Sequence, residues 1–227
     1  MKPWRTWILL PLFGLISFGL VRSLIDPGMG KPQAFQFPAQ VPLSGWQAIS
    51  KQAIADPAHL SPNILSSQRY QYRKTGANPL TLTAEARYVL PRKVSVETKE
   101  FLNLFLLDQK KVYQALPFKL VEQEFQPGNF YSLFTHQGRA YLSACIDPSG
   151  KSTTNLSQFR RNRLVYDLRW DKVLRWPFSS SGLLDQRCVW SQLSMPLKEA
   201  KSEPTYALLK TAWADWFKWW QANFPNR

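Results

Sequence analysis

The sequence predicts an α+β fold, with a mainly antiparallel sheet packed by helices and preceded by one N-terminal transmembrane helix. Runs in which apolar and polar residues alternate, separated by turn residues, are typical of β-hairpins with one buried face. A C-terminal stretch repeats aromatic residues at three- and four-residue steps, as an amphipathic helix does. The N-terminus holds an uncharged segment between basic flanks, which is the pattern of a membrane anchor.

Residues 1–25 are predicted to form that anchor. Uncharged residues fill positions 6–21, between Arg5 and Arg22. As a helix they rise about 24 Å, and flanking arginines that snorkel help them to cross a bilayer core of about 30 Å. A cleavable signal peptide is the alternative, but no small-x-small cleavage pattern follows the apolar run. We expect a single-pass membrane protein whose soluble part is extracytoplasmic, on the periplasmic side.

Residues 26–66 are predicted to be an extended tether leading into the domain, and residues 67–227 to be an extracytoplasmic α+β domain. The tether prediction rests on residues 26–42, which contain four prolines and two glycines. A folded stretch is expected to begin near Trp46.

Alternation predicts the strands. One hairpin pairs residues 69–73 with residues 80–90, where every second residue is apolar. A second pairs residues 129–135 with residues 139–146 across a turn at a glycine. A last strand is predicted within residues 187–197.

Helical spacing predicts three helices in the domain. The first begins near Ser95, the second is a short helix within residues 155–163, and the third begins near Ser202, a good N-cap. The apolar stripe of the third helix consists of Tyr206, Leu209, Trp213, Trp216, Phe217, Trp220 and Phe224. This stripe is interpreted as covering the sheet. A helix lying on the bilayer or docking a partner stays open, with Trp216, Trp219 and Trp220 as candidate contacts.

The net charge of +14 favours an anionic neighbour such as nucleic acid, acidic lipid or an acidic polymer. Export and the lack of a nucleic-acid motif weigh against nucleic acid. The excess is clearest in residues 151–175, and a solvated basic face is the alternative there. The candidate anion-binding residues are Arg160, Arg161, Arg163, Arg169, Lys172 and Arg175.

Chemistry-bearing motifs are few, so no catalytic residue, metal or cofactor is assigned. His59 and His136 are the two histidines, and no CxxC pair occurs. Cys145 and Cys188 are either a disulfide, natural in an oxidising compartment, or two unpaired thiols. Cys145 with His136 and Asp147 is the best nucleophile candidate, although a core cysteine and a turn histidine are the favoured interpretation.

Segments of the domain resemble a known family. With the N-terminal anchor, "CIDPSGKSTTNLSQFRRNR", "LDQRCVWSQLSMPL" and "TYALLKTAWADWFKWWQANFP" are similar to the cyanoexosortase A system-associated proteins. The resemblance runs from about Ser67 to Pro225. It implies a single-pass companion of an exosortase, a multi-pass membrane enzyme of protein sorting whose loci often accompany exopolysaccharide production. It transfers no catalytic residue, because none of the matching segments is a catalytic signature.

Three functions are therefore open. The favoured one is a membrane-anchored accessory protein of an exosortase system that acts by binding rather than catalysis. The alternatives are a cysteine-dependent hydrolase or transferase using Cys145, and a domain that binds anionic lipid or polysaccharide.

Overall fold

The computed structural model describes residues 13–14, 17–18, 21, 34–55, 64–76, 79–90, 97–107, 115–167, 185–197 and 202–225. Its strands and helices in chain order are β1 Trp46–Ala53, β2 Ile64–Lys74, β3 Thr81–Val89, α1 Thr98–Phe105, β4 Val121–Gln126, β5 Asn129–His136, β6 Arg139–Ile146, β7 Ser152–Thr153, α2 Leu156–Asp167, β8 Cys188–Pro196 and α3 Glu203–Asn223. The predicted α+β class is confirmed.

One eight-stranded sheet organises the domain. Its strand order is β1-β2-β3-β8-β6-β5-β4, with β7 beside β6, and all its pairings are antiparallel. Both predicted hairpins are confirmed as β2–β3 and β5–β6. The last strand, β8, lies between β3 and β6, and all but one of its residues are buried. This central position explains why apolar residues occupy so much of β8.

The aromatic stripe of α3 covers one face of the sheet, so the structural interpretation of the stripe is confirmed. Trp213, Trp216, Phe217 and Trp220 are buried in one core cluster with the alternate residues of the central strands. The Trp216 indole N–H donates a hydrogen bond to Ser191 Oγ at 2.9 Å. At the C-terminal end, the Arg187 guanidinium donates to the Pro225 carbonyl at 2.6 Å. These contacts fix the helix along the sheet.

Within the predicted tether, residues 34–42 pack against the sheet, and the folded stretch expected near Trp46 is strand β1. Phe37, Val41 and Leu43 are buried in the same core as α3. Their backbone is also held, because the Tyr72 hydroxyl donates to the Val41 carbonyl and the Lys51 ammonium donates to the Phe37 carbonyl. The apolar residues between the prolines pack against the sheet, and burial of their side chains outweighs the extended character of the segment. The folded domain therefore includes residues before 67.

The opposite face of the sheet is covered in part by α1 and α2. Phe101 of α1 stacks on Trp190 with ring centroids 4.0 Å apart, and Phe159 of α2 is buried in the same cluster. Asn155 caps α2, because its side-chain oxygen accepts a hydrogen bond from the Gln158 backbone N–H at 3.0 Å. The predicted cap of α3 is not made, since Ser202 forms no side-chain capping hydrogen bond.

The predicted anchor lies largely outside the described residues, which include only Phe13, Gly14, Ser17, Phe18 and Val21 from it. Across the described parts of the chain, no helix is both long and apolar enough to span a membrane. The chain divides into two compact units. The sheet and α3 belong to the larger unit, which consists of residues 34–162 together with residues 186–226.

Candidate anion-binding cavity

A polar cavity of about 320 Å³ opens on the sheet face opposite α3. Its side chains come mainly from four adjacent strands, β2, β3, β8 and β6. On each strand, the residues that alternate with the apolar residues under α3 point to this opposite face. On β3, for example, Leu82, Ala84 and Ala86 face the core beneath α3, while Thr83 and Glu85 line the cavity. The lining residues are Arg69, Gln71, Thr83, Glu85, Arg87, Phe105, Leu106, Arg139, Tyr141, Gln192 and Ser194.

Strand register arranges most of these side chains in two rows. Gln71, Thr83, Ser194 and Tyr141 are paired in sequence across β2, β3, β8 and β6. Arg69, Glu85 and Gln192 form the neighbouring row, two residues along the same strands. Side chains in adjacent rows on one face lie within reach of each other, so both rows can contact one small ligand.

Glu85 lies between two arginines. Its carboxylate is 2.7 Å from Arg69 Nη2 and 2.9 Å from Arg87 Nη1. The side chains of Glu85 and Arg87 are 15% and 6% exposed, whereas that of Arg69 is 42% exposed. Burial acts to raise the pKa of Glu85, but the two guanidinium groups outweigh it and hold the pKa below its ordinary value. Glu85 is therefore ionised and its charge is compensated.

Arg139 differs from the other two arginines of the cavity, because it forms no ion pair with a carboxylate of the described residues. Its Nη2 donates to Ser194 Oγ at 3.0 Å and lies 3.4 Å from Thr83 Oγ1. The described part of the lining holds three arginines and one glutamate, a surplus of two positive charges. Such a surplus in a partly dehydrated site attracts an anion.

Tyr141 places a hydroxyl beside Arg139. Its ring stacks on Phe134 with centroids 4.8 Å apart, which limits the directions the hydroxyl can take. Burial raises the pKa of Tyr141, Arg139 opposes the rise and Glu85 adds to it. The phenol is therefore neutral at physiological pH, and its hydroxyl can both donate and accept a hydrogen bond.

The candidate partner contacts at the C-terminus need correction. Trp216 and Trp220 are fully buried against the sheet, so neither can contact a partner or a membrane. Trp219 is half-buried and lines a groove of about 850 Å³ together with Trp46 and Lys218. Periodicity already places Trp216 and Trp220 on the apolar stripe and Trp219 off it, and the burial of the three side chains follows that division.

The two cysteines are bonded to each other. Cys145 Sγ and Cys188 Sγ form a disulfide between β6 and β8, and both residues are fully buried. His136 pairs with Arg139 at the turn end of the β5–β6 hairpin. Cys145 lies six residues further along β6, about 20 Å away at the rise of a β-strand. The structure therefore does not bring Cys145 and His136 together.

Asp147, the third member of that candidate group, closes a turn. Its carboxylate accepts hydrogen bonds from the backbone N–H groups of Ser149 and Lys151 and from the Asn162 amide. Burial raises its pKa, and these hydrogen bonds oppose the rise. Asp147 thus organises the connection from β6 to α2. In the described parts of the chain, no group of histidine, cysteine and carboxylate side chains could hold a metal ion.

The basic region predicted to bind anions lies on and after α2. Arg160 and Arg161 are exposed on this helix and Arg163 is half-buried. Arg169, Lys172 and Arg175 lie outside the described residues. Arg160 and Arg161 do not line the cavity, and the role of the basic region stays a prediction.

Comparison of the chain with models of protein families, with curated proteins and with solved structures found no match. The cavity residues were missed by sequence reasoning, although the signal was present in β3. Alternation that places Leu82, Ala84 and Ala86 on one face also places Glu85 and Arg87 together on the other. What the sequence could not give is the position of β8 and β6 beside β3, which brings Gln192 and Arg139 to the same place.

Proposed function

We propose that this chain is a membrane-anchored accessory protein whose extracytoplasmic domain acts by binding, and that its cavity receives an anionic group. The observation that carries the proposal is Arg139, a half-buried guanidinium with hydroxyl and carbonyl partners but no carboxylate among the described residues. A guanidinium held in this way is ready to accept a planar anion with little reorganisation.

The cellular setting is proposed from the resemblance to the cyanoexosortase A system-associated proteins. It makes a multi-pass exosortase the expected membrane partner and protein sorting the expected process. Trp219 and Trp46 supply half-buried aromatic surface in a groove on the other side of the domain from the cavity, where a partner could bind without blocking an anion. Aromatic residues of this kind are common at the centres of interfaces.

A cysteine-dependent enzyme is the less favoured function. Cys145 is bonded to Cys188, and a sulfur in a disulfide is not a thiolate nucleophile. Its separation from His136, about 20 Å along the hairpin, also leaves it without the neighbouring base that activates a thiol.

Anion binding is tested on the full chain in detergent micelles. The thermal unfolding midpoint is measured in sodium acetate and in sodium chloride of equal ionic strength. A ligand that binds the folded state raises the midpoint by mass action, so acetate should raise it above the chloride value. Arg139→Gln should abolish the difference, whereas Lys210→Gln on α3, across the sheet, should preserve it. Equal midpoints in the two salts for the wild-type chain would refute the anion site.

The accessory role is tested by affinity purification of the tagged full chain from solubilised membranes of its source cells. A multi-pass exosortase should co-purify. Trp219→Ala should reduce its recovery, and Tyr206→Ala, which truncates a half-buried aromatic near the start of α3, is the matched control. Purification of the chain without any exosortase would remove the support for this setting while leaving the anion site untouched.

A further inference from the structure

We infer that the cavity takes a small hydroxylated carboxylic acid, of the size and chemistry of a single sugar-acid residue. This inference rests on the proposed anion binding and adds the class of ligand. It is carried by a second observation, independent of Arg139, on the neighbouring strand. Gln192 is only 7% exposed, lines the cavity and makes no side-chain hydrogen bond to any residue that the structure describes.

The unpartnered amide of Gln192 calls for a ligand with groups that both donate and accept. The amide atoms of Gln192 are accessible from the cavity, so they are available to bond a ligand there. A hydroxyl group satisfies either end of the amide, because it donates one hydrogen bond and accepts two. Ser194, Thr83 and Tyr141 add three hydroxyls to the same lining. The cavity is therefore suited to several ligand hydroxyls beside one carboxylate.

Size and surface agree with a single ring. A volume of about 320 Å³ is at the lower end of the range for small-molecule sites. Phe105 and Leu106 line the same cavity and supply apolar surface beside its polar groups. Arg87 lies over Phe105, with its guanidinium carbon 4.9 Å from the ring centroid, which holds the aromatic side chain in place.

A peptide is a poorer fit to this position. Extended peptides are usually bound through their main chain, at the exposed edge of a sheet. The cavity lies instead over β2, β3, β8 and β6, and each of these strands has a paired neighbour on both sides. Their backbone groups are used in the ladders, so only side chains remain to recognise a ligand. Side chains with amide and hydroxyl ends are the groups that bind sugar hydroxyls.

A phosphate is also a poorer fit. Phosphate sites commonly use free backbone N–H groups at a helix N-terminus or in a glycine-rich loop. Of the described residues that line the cavity, none is a glycine or lies at a helix N-terminus, and two of the three arginines among them are already bonded to Glu85. One guanidinium without a carboxylate matches one planar monoanion.

The test uses the full chain in detergent micelles and isothermal titration calorimetry at constant ionic strength. Glucuronate, glucose, acetate and N-acetyl-dialanine with a free carboxylate are the probes. Glucuronate should bind at least tenfold more tightly than acetate, and glucose should give no measurable heat of binding. Arg139→Gln should weaken glucuronate binding at least tenfold, and Arg139→Lys should restore part of the loss. Gln192→Ala should weaken glucuronate binding by a larger factor than acetate binding.

The outcomes separate this inference from the proposed function. If acetate binds and glucuronate binds no more tightly, the sugar-acid inference is overturned and the anion site stands. If N-acetyl-dialanine binds more tightly than glucuronate, the ligand class is overturned in favour of a peptide carboxylate. If none of the carboxylates binds, both proposals fail. Each variant is first checked by circular dichroism and by its unfolding midpoint without ligand, so that loss of fold is not read as loss of binding.

Discussion

Replacing Glu85 with Gln is expected to lower stability and to strengthen anion binding, and these two effects have one cause. The substitution keeps the shape of the side chain but removes the charge that Arg87 and Arg69 share. Arg87 is 6% exposed, so a nearly buried cation loses the carboxylate that lies 2.9 Å from it. Removing one partner of a buried ion pair costs about 3–5 kcal/mol. Because Gln can still accept a hydrogen bond, we expect a loss of about 3 kcal/mol in the free energy of unfolding.

The same change removes a negative charge near the bound anion. Glu85 lies two residues from Thr83, which is about 7 Å at the rise of a strand. The Thr83 hydroxyl contacts Arg139. An anion bound by Arg139 is therefore expected about 7 Å from Glu85. At an effective dielectric constant of about 20, removing a repulsive unit charge at this distance is worth about 2 kcal/mol. Salt reduces this effect. We therefore expect Glu85→Gln to bind glucuronate about thirtyfold more tightly than the wild-type chain at low ionic strength, and by a smaller factor as salt rises.

The assay combines urea unfolding, followed by tryptophan fluorescence at fixed detergent concentration, with calorimetric titration. Arg69→Gln is the matched control, since Arg69 is 42% exposed and its ion pair should contribute at most about 1 kcal/mol. The pKa of Glu85 is lower in the folded than in the unfolded state, so its contribution is complete above its ordinary pKa and is lost as pH falls through the folded value. The stability difference between Glu85→Gln and wild type should therefore be full at pH 7 and shrink below about pH 4. A variant as stable as the wild type at pH 7, or one that binds glucuronate more weakly, would refute this reasoning.

Two further predictions concern the core and the disulfide. Trp216→Ala should lower the free energy of unfolding by about 3–5 kcal/mol, because Trp216 is fully buried and bonded to Ser191, whereas Trp219→Ala should cost about 1 kcal/mol or less. Urea unfolding of both variants measures the contrast, and equal losses would contradict the assignment of their positions. Replacing Cys145 and Cys188 together by Ala should cost about 4 kcal/mol, the chain-entropy value for a sequence separation of 43 residues. A maleimide should label neither cysteine of the denatured wild-type chain until a reductant is added. Labelling without reductant would show free thiols.

The fold was predictable where one strand or helix carries its own pattern. The hairpins follow from alternation in β3 and β6, and α3 follows from its stripe. β1 and β4 were missed because they are edge strands. Most of their residues are exposed, so their sequences lack the apolar alternation that a buried face requires. The packing of residues 34–42 was not foreseen, because their prolines were taken as the signal and Phe37 and Val41 were not.

The candidate site was predictable only in part, for a different reason. Alternation within β3 shows that Glu85 and Arg87 share a face, but the cavity also needs Gln192 and Arg139 from strands that are far away in the sequence. Their approach is a property of strand order, with β8 inserted between β3 and β6. Non-local pairing of this kind leaves no periodic mark on either segment.

Compared with apolar side chains of similar volume, the paired charges of the cavity are expected to add no net stability, and a variant that removes them together tests this. Replacing a buried ion-pair group by apolar residues of similar volume is often neutral, or stabilising by about 1–4 kcal/mol, because desolvation of the charges is avoided. The triple substitution Arg69→Met, Glu85→Leu and Arg87→Met should therefore unfold at a urea concentration equal to or above that of the wild type. Because the surplus of positive charge falls from two to one, the triple variant should bind glucuronate severalfold more weakly at low ionic strength. A large loss of stability would show that the charged group holds the sheet together, whereas retained stability with weakened binding would mean that its polarity serves the ligand.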